Sequence, residues 1–341
     1  MDKTPESRKK PPCQLEDQIK RAYQSSFGPG HLIEDGAKAQ AWIDREWQEA
    51  DLQRPLRIEN IGGGWSRIHF GHTEDDAAAR RLILRLFCLS AVTARSQPAR
   101  FHGLLDTLAA ASSQAEKQIA RYRARGCPPL HHSDVYRESR HPHYRVVRQD
   151  LAQYFWLLLK IQRLLENKSR ALIALDGRIA SGKSSLAARI AEVFGAHIIH
   201  TDDYYTPKAN RSAGWQKKAA GNMDLSRLRE EVLIPYQNGQ PLHTAPFDCQ
   251  SQQAGKPVDY PADKPLIVEG SYALEDSLRS YYDASFYLEL DPQVQRERVA
   301  KRNGDYAPVF YSTWIPLEQV YIDLQHPEAF ADVVLNTTTY F

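Results

Sequence analysis

The sequence predicts an α/β domain with a five-stranded parallel sheet flanked by helices, preceded by a smaller α+β domain. From Leu172 onward the chain alternates an apolar strand, a glycine-rich turn, an amphipathic helix and a second strand. Apolar strands that alternate with amphipathic helices are typical of a parallel sheet covered on both faces. The five strand candidates are residues 172–177, 196–200, 266–270, 285–290 and 332–336.

The first half of the chain is less regular and favours an α+β arrangement. Helices are predicted at about 16–25 and 37–51, then a hairpin over 56–70 that turns at three consecutive glycines, then helices to about residue 124. Apolar residues at helical spacing predict one long helix over 149–169. The predicted organisation is a disordered start at 1–14, an α+β domain at 15–147, a connecting helix at 148–169 and an α/β domain at 170–341.

Composition argues against two classes of partner. The 341 residues carry 44 Lys and Arg against 42 Asp and Glu, so the formal net charge is only +2. Proteins that bind nucleic acid or membrane surfaces gain much of their affinity from a pronounced basic excess, so neither partner is expected. The first half is mildly basic, with 24 Lys and Arg against 19 Asp and Glu in residues 1–150.

Cysteine usage and the apolar runs predict a cytoplasmic protein. The chain has four scattered cysteines without a C-x-x-C pair, so neither a zinc knuckle nor a disulfide framework is indicated. Its first twelve residues are polar and look like a disordered start, not a signal peptide. The longest apolar runs fall far short of the roughly 20 residues that span a bilayer. The sequence leaves homo-oligomer formation open.

A phosphate-binding loop lies between the first predicted strand and the following helix. Residues 177–184 read GRIASGKS and fit G-x-x-x-x-G-K-[ST] at every specified position. The glycines let backbone N–H groups turn inward around an anion, and the helix adds its positive N-terminal end. Lys183 is expected to reach the β- and γ-phosphates of ATP, and Ser184 to bind Mg²⁺. The predicted ATP-binding residues of the loop are Gly177, Ala180, Ser181, Gly182, Lys183, Ser184 and Ser185.

Carboxylates follow the second and third predicted strands, at the edge where open α/β sheets bind ligands. Asp202 and Asp203 follow the second strand, and Glu269 ends the third. A kinase needs a carboxylate that accepts the proton of the acceptor hydroxyl, and Asp202 is the candidate for this base. Ser184, Asp202 and Glu269 form the predicted Mg²⁺ site. The alternatives are that one or both aspartates cap the next helix and that Glu269 is a solvated strand end.

Two arginines lie one helical turn apart on the segment QRERVAKRNG. Arg298 and Arg302 are at i, i+4, so both guanidinium groups can point the same way. Charged helix faces are usually only solvated. In a phosphoryl-transfer enzyme such a pair can form a lid over ATP that neutralises developing charge and excludes water.

Together these segments resemble the uridine kinase/phosphoribulokinase branch of the P-loop kinases. The resemblance rests on GRIASGKSS, TDDYY, VEGSY and the arginine-bearing helix, and it covers about residues 170–341. It implies a parallel sheet in 2-3-1-4-5 order with a mobile lid, and ATP and Mg²⁺ as cofactors. By resemblance Asp202 is the catalytic base, and Ser184 and Glu269 help to hold Mg²⁺.

The acceptor side of the predicted site differs from that of uridine kinases. The chain is similar to bacterial uridine kinase-like proteins at GNMDLSRLREEVL, PFDCQ and RNG…F…WIPLEQVY. Its DDYY segment and GNMD turn replace the expected nucleoside-binding neighbourhood, which puts uridine in doubt as the acceptor. Polar and aromatic side chains beside the base can orient a hydroxylated molecule, or they can be ordinary turn and packing residues. The candidate acceptor contacts are Tyr204, Asn222, Asp224 and Tyr272.

Two stretches of the first half carry unusual composition. Residues 27–36 place glycines around His31, and residues 131–148 contain four histidines and four arginines. The second stretch can be an anion or substrate site, because Arg and His donors recognise phosphate and carboxylate. A polar surface segment is the plainer alternative, and a zinc site is a third. The zinc site would use His131, His132, His141 and His143.

The sequence therefore favours an ATP-dependent small-molecule kinase. A nucleoside, a sugar or sugar phosphate, and a pantothenate-like alcohol remain open as acceptors. One rival hypothesis is a nucleotide-binding regulatory protein whose N-terminal domain carries the output. Another is a bifunctional enzyme, although the first half shows no nucleophile paired with a base.

Overall fold

A computed structural model of the chain describes residues 14–30, 36–50, 52–248 and 251–340. It divides into two compact units, Met1–Phe155 and Trp156–Phe341. The division falls within the segment predicted to connect two domains. Of the predicted disordered start, residues 1–13 lie outside the described residues, and so does His31.

The first unit combines helices with a three-stranded antiparallel sheet. Its helices are α1 (Leu15–Phe27), α2 (Gly36–Glu49), α3 (Asp76–Val92), α4 (Pro98–Ala109), α5 (Ser113–Ala124), α6 (Asp134–Arg140) and α7 (Gln149–Ala152). Its strands are β1 (Arg57–Gly62), β2 (Trp65–His69) and β3 (Tyr144–Arg148). The sheet order is β1-β2-β3, and the predicted hairpin is formed by β1 and β2.

Local sequence signals explain where these elements begin and turn. The side chains of Asp75, Ser112 and Ser133 accept hydrogen bonds from backbone N–H groups in the first turns of α3, α5 and α6. Such caps satisfy donors that have no partner within the helix. The hairpin turns at Gly63, where a Cβ would lie 1.8 Å from the carbonyl oxygen of Ser25. The close approach of α1 therefore requires glycine at this position.

The single helix predicted over 149–169 is wrong, because the segment forms α7 and a separate helix, α8 (Phe155–Asn167). Between them the N–H of Tyr154 donates to the carbonyl oxygen of Leu151, three residues back. Tyr154 and Phe155 are both buried. A continuous helix would separate these neighbours by about 100° around its axis, so the break lets both aromatic side chains turn inward.

The second unit is built on a parallel sheet. Its strands are β4 (Leu172–Gly177), β5 (His197–His200), β6 (Leu242–Thr244), β7 (Phe247–Asp248), β8 (Gln253–Ala254), β9 (Val258–Tyr260), β10 (Leu266–Glu269), β11 (Ala284–Glu289) and β12 (Val333–Asn336). Besides α8, its helices are α9 (Lys183–Phe194), α10 (Leu225–Leu228), α11 (Ile234–Gln237), α12 (Pro292–Asn303), α13 (Ala307–Val309), α14 (Ile315–Gln325) and α15 (Pro327–Phe330).

The five predicted strands pair in the order β5-β10-β4-β11-β12, and all pairs are parallel. Counted along the chain, this is the 2-3-1-4-5 order that the resemblance implied. Every residue of β4 and β10 is buried, as expected for strands covered on both faces. The sequence did not predict the two short antiparallel pairs between β5 and β10, which are β6 with β9 and β7 with β8.

Helix α9 covers one part of this sheet with an apolar face. Its residues Leu186, Ala187 and Ile190 are fully buried, and the helix contacts β4, β5 and β10. This packing places the N-terminus of α9 at the carboxyl end of β4. Within the described parts of the chain, no helix combines the length and apolar character needed to cross a membrane.

Candidate active site

The phosphate loop joins β4 to α9, and its backbone requires the glycines at its two ends. Gly177 has φ 142°, and a Cβ there would lie 2.3 Å from the carbonyl oxygen of Leu288 on β11. Gly182, directly before α9, has φ 98°. Residues with a Cβ rarely adopt such positive φ values. The spacing of the two glycines therefore follows from the two sharp turns that bring the loop around the start of α9.

Lys183 lies folded against the loop. Its Nζ donates to the carbonyl oxygens of Gly177, at 2.6 Å, and Arg178, at 3.0 Å. The loop therefore holds a buried ammonium group that can exchange these carbonyl acceptors for phosphate oxygens. Ser184 and Ser185 are exposed in the first turn of α9, where backbone N–H groups have no helical partner.

The middle of the loop contains a buried hydroxyl without a partner. Ser181 is fully buried, and its Oγ has no hydrogen-bond partner among the described residues. The preceding Ala180 has φ 62°, which holds the loop in a tight left-handed turn. Burial of an unpaired hydroxyl costs free energy, and an anion in the loop would supply the missing partner.

The ends of three neighbouring strands bring the predicted carboxylates to the loop's edge of the sheet. Strand β10 lies between β4 and β5, and the register pairs Glu269 with Leu175 on one side and His200 on the other. Gly270 then packs against Thr201, so closely that a Cβ would lie 1.9 Å from the Thr201 Oγ1. Because β4 also leads into the loop, the segments that the sequence singled out end at the same edge.

Asp202 is exposed, and the hydroxyl of Tyr205 donates to its Oδ1 at 2.8 Å. Neither Asp202 nor Asp203 caps the short 3-10 turn that follows β5, so the capping alternative is wrong for this turn. Burial raises the pKa of Asp203, and the charges of Asp202 and Glu269 add to this rise. The nearby His200 opposes it. Asp202 is therefore the more exposed aspartate of the pair.

Glu269 is buried and paired with a histidine that the sequence analysis did not single out. The Nδ1 of His200 lies 2.5 Å from Glu269 Oε1, and the imidazole is half exposed. This hydrogen bond raises the pKa of His200 above its usual value. The solvated alternative for Glu269 is therefore wrong, since only 4% of the residue is exposed.

Two further buried carboxyl groups support the loop, and the sequence analysis missed both as site residues. Glu318, on α14, accepts from the N–H of Ile179 in the loop and from Gln295 Nε2 at 2.9 Å. Burial raises the pKa of Glu318 to about 7. Asp176, at the end of β4, accepts from the hydroxyl of Tyr321 at 2.7 Å, and burial raises its pKa. Glu318 lies in the segment WIPLEQVY, which the sequence analysis used only for the resemblance to uridine kinase-like proteins.

The two arginines of α12 have different surroundings. Arg298 Nη2 donates to the carbonyl oxygens of Thr337 at 2.8 Å and Tyr340 at 2.5 Å, and its Nη1 lies 3.5 Å from the Ala180 carbonyl oxygen in the loop. Arg302 is exposed and donates to the side chain of Asn303. The structure therefore places Arg298 against the loop, while Arg302 remains a candidate for a contact made on closure.

The two tyrosines proposed as acceptor contacts are buried. Tyr204 is 1% exposed, with the guanidinium of Arg227 stacked 4.5 Å from its ring centre. Its hydroxyl has no hydrogen-bond partner among the described residues. Tyr272 has a left-handed backbone, with φ 73°, and its ring packs edge-on against Tyr321. Both side chains belong to the same apolar cluster.

The two polar candidates lie on the turn before α10. Asp224 caps this helix by accepting from the N–H of Arg227 at 3.1 Å. Asn222 is buried, and its Nδ2 finds no partner in the described part of the chain. The backbone carbonyl oxygen of Asn222 accepts from the N–H of Thr206. This hydrogen bond connects the turn to the segment after Asp202. The Asn222 Nδ2 is therefore a buried donor whose partner is not among the described residues.

The histidine-rich stretch of the first unit does not form a zinc site. His132 is buried between Asp17 and Tyr144, with Nδ1 2.8 Å from the carboxylate and Nε2 2.7 Å from the hydroxyl. Among the described residues, which include all four histidines of this stretch, no group of three or more His, Cys, Asp and Glu could hold a metal ion. The zinc alternative is therefore wrong for these histidines.

Comparison with known proteins finds similarity to several proteins that are named as kinases. No protein-family model matches the chain. Over 185 residues it is 30% identical to a Schizosaccharomyces pombe protein named "Putative uridine kinase", and the match covers 45% of this chain and 75% of that protein. Among solved structures, a "Possible Uridine Kinase" from Bacillus stearothermophilus is 19% identical, with a TM-score of 0.40 over 53% of this chain and 99% of its own. The phosphoribulokinase of Rhodobacter spheroides is 14% identical, with a TM-score of 0.38 over 49% of this chain and 70% of its own.

Proposed function

Because this chain belongs to the uridine kinase-like family of P-loop kinases, we propose that it transfers the γ-phosphoryl group of ATP to a hydroxyl of a small molecule. The observation that carries the proposal is the meeting of three strand ends at one edge of the sheet. There the phosphate loop, Asp202 and Glu269 are neighbours. An anion cradle beside two carboxylates is what magnesium-assisted phosphoryl transfer requires.

The loop residues fit the phosphates of ATP. Gly177 to Ser185 supply backbone N–H groups and the ammonium of Lys183, and the unpaired Ser181 hydroxyl leaves a place for an anion oxygen. Mg²⁺ would be held by the exposed Ser184 hydroxyl with Asp202 and Glu269, since oxygen ligands are those it prefers. The ion would neutralise charge between the phosphates. Arg298 lies against the loop and adds a fixed positive charge.

Asp202 is the proposed general base. It would accept the proton of the acceptor hydroxyl while the hydroxyl oxygen forms a bond to the γ-phosphorus and the bond to ADP breaks. The hydrogen bond from Tyr205 fixes one carboxylate oxygen and leaves the other for the acceptor. A kinase base must be within reach of the substrate, and Asp202 meets this condition because it is exposed.

The acceptor is a nucleoside, a sugar, a sugar phosphate or a pantothenate-like alcohol. The name of the fission-yeast relative favours uridine, whereas the DDYY segment and the GNMD turn differ from uridine kinases. Two of the four candidate contacts, Asn222 through its Nδ2 and Tyr204 through its hydroxyl, have a polar group without a partner among the described residues. We place the reaction in the cytoplasm, where ATP is abundant and where Cys88 and Cys127, both free thiols, would stay reduced.

The decisive experiment measures ADP release with ATP and Mg²⁺ across a panel of these acceptors. One acceptor is expected to stimulate turnover, and Asp202→Asn is expected to lower it by at least about 100-fold, because a positioned base contributes 10²–10⁴-fold. Asp203→Asn is the matched control and should retain most of the activity. If ATP binds tightly but no acceptor stimulates ADP release, the kinase proposal fails and a regulatory nucleotide-binding protein is favoured.

A further inference from the structure

We propose that the first unit binds a phosphorylated small molecule in a cavity of about 1080 Å³, which is distinct from the phosphate loop. The described residues that line it come from α1, from the β1–β2 hairpin and the segment before it, from α4, and from α6 with the segment after it. All of them belong to the unit Met1–Phe155. This site is independent of the proposed kinase reaction.

The lining of the cavity carries an excess of positive charge. It contains six arginines and two carboxylates, a surplus of four positive charges with the histidines neutral. Both carboxylates are already engaged: Asp17 accepts from the Ser133 hydroxyl at 2.6 Å, and Glu59 pairs with Arg21 and His69. The surplus is therefore not neutralised by the cavity's own acids. The six arginines are Arg21, Arg54, Arg57, Arg67, Arg100 and Arg140.

Three of these residues have guanidinium groups without an ion-pair partner among the described residues. They are Arg57, Arg100 and Arg140, referred to below as the arginine trio; all are exposed. They come from β1, α4 and α6, so the trio lines the cavity from three elements. A guanidinium offers a fork of donors that matches the oxygens of a phosphate group.

The fourth, Arg67, is built into the wall. Its side chain is only 4% exposed, and its Nε and Nη2 donate to Gln24 Oε1 at 3.0 and 2.6 Å. The guanidinium stacks 4.7 Å from the ring centre of Tyr144, and its nearest carboxylate oxygen, on Glu59, is 3.7 Å away. Burial lowers the pKa of the nearby Lys20 to about 8, and the charge of Arg67 adds to this effect. Because the Arg67 guanidinium is already held in place, an anion that binds it does not pay the entropy of ordering this side chain.

The remaining wall defines the other end of the ligand. Part of it is apolar and part carries neutral polar groups. A bare phosphate ion would leave most of the cavity unfilled, whereas a ring or hydrocarbon portion would bury the apolar surface there. The ligand class is therefore a phosphorylated organic molecule with an apolar or ring-containing body. The large apolar lining residues are Leu56, Ile61, Phe70, Leu104, Leu108 and Val135.

The first test measures binding by calorimetry in the full-length Lys183→Ala protein without magnesium, so that the kinase site contributes little. The probes are AMP, glucose 6-phosphate and 4'-phosphopantetheine, each beside its unphosphorylated counterpart: adenosine, glucose and pantetheine. At least one phosphorylated probe is expected to bind, and its counterpart is not. If no phosphorylated probe binds, or if each pair binds equally, the proposal is overturned.

The second test replaces the whole arginine trio by alanine in the same protein. The affinity of the bound probe should fall at least about tenfold, because charge-assisted hydrogen bonds are lost. A matched control removes three other exposed arginines of the first unit, Arg95, Arg121 and Arg125, and should bind as before. If both variants lost affinity for the probe equally, the probe would be attracted only by the overall positive charge of the unit, and the proposed site would be refuted.

A binding measurement with a short single-stranded RNA tests whether the cavity binds nucleic acid instead of a small phosphorylated molecule, since arginines attract both. If the RNA binds more tightly than every small probe and the trio variant loses that binding, the cavity is a nucleic-acid site and the small-molecule proposal is wrong. Failure of the kinase proposal would leave these results unchanged, since binding is read in a protein whose phosphate loop is disabled.

Discussion

Replacement of Glu318 by glutamine is expected to change the pH dependence of stability around the phosphate loop. The side chain is buried, and its pKa rises from the usual 4.5 to about 7 because burial disfavours the charged form. Between these pH values the folded protein therefore binds more protons than the unfolded chain. Its free energy of unfolding falls as the pH rises through this window, and the contribution is lost above pH 7.

The structure allows the size of this effect to be worked out. A pKa that rises from 4.5 to about 7 corresponds to about 3 kcal/mol, at 1.36 kcal/mol per pKa unit. Glutamine keeps an oxygen for the N–H of Ile179, but its amide group faces the donor of Gln295, so about 1 kcal/mol is lost at every pH. Glu318→Gln should thus be less stable than the native protein at pH 4.5 and about 2 kcal/mol more stable at pH 8.

The assay follows hydrogen-exchange protection of α9 and α14 in increasing urea at pH 4.5, 6, 7 and 8. These helices report on their own unit, which matters in a chain of two units. Glu297→Gln, on an exposed face of α12, is the matched control and should show no crossover. Carbon-13 titration of the glutamate carboxyl groups gives an independent readout, since the signal with a midpoint near pH 7 should disappear in Glu318→Gln. A constant stability difference across the pH series would refute the reasoning.

Three further substitutions test the loop and the base. Gly177→Ala should lower the free energy of unfolding in urea by about 1–3 kcal/mol or more, because backbone strain is combined with a clash against the Leu288 carbonyl oxygen. Gly195→Ala is the control and should cost less, since its Cβ would meet nothing within 4 Å. Lys183→Ala should weaken binding of Mg-ATP about 10- to 100-fold in equilibrium titrations, through loss of charge-assisted hydrogen bonds. Tyr205→Phe should lower kcat about fivefold without changing ATP affinity, since it frees Asp202 to rotate; an unchanged kcat would mean that this hydrogen bond does not position the base.

The features whose place in the fold was predicted correctly are those encoded by neighbouring residues. The loop could be identified because Gly177 and Gly182 meet local backbone requirements, and a chain turn depends mainly on the residues that form it. The carboxylates after β5 and β10 could be placed because parallel strands end at a common edge. The long helix over 149–169 failed for the opposite reason, since the burial of Tyr154 and Phe155 overrides helical periodicity.

The residues that were missed depend on contacts between distant segments. Glu318 lies 139 positions from Ile179, and its burial depends on this distant contact, which the surrounding segment WIPLEQVY does not reveal. The pairing of His200 with Glu269 spans 69 positions and exists only because β5 and β10 are adjacent. The residues of the arginine trio are likewise far apart in the sequence and line one cavity only in the folded chain.

The sequence by itself determined the phosphate loop, the positions of the five parallel strands and the carboxylates at their ends, because short-range sterics and hydrophobic patterning specify these features. The tertiary structure decided which side chains are buried, which carboxyl groups have raised pKa values and which arginines of the first unit line one cavity. Burial and charge depend on every element packed around a group. A protonation state or a ligand cavity is therefore a property of the assembled fold.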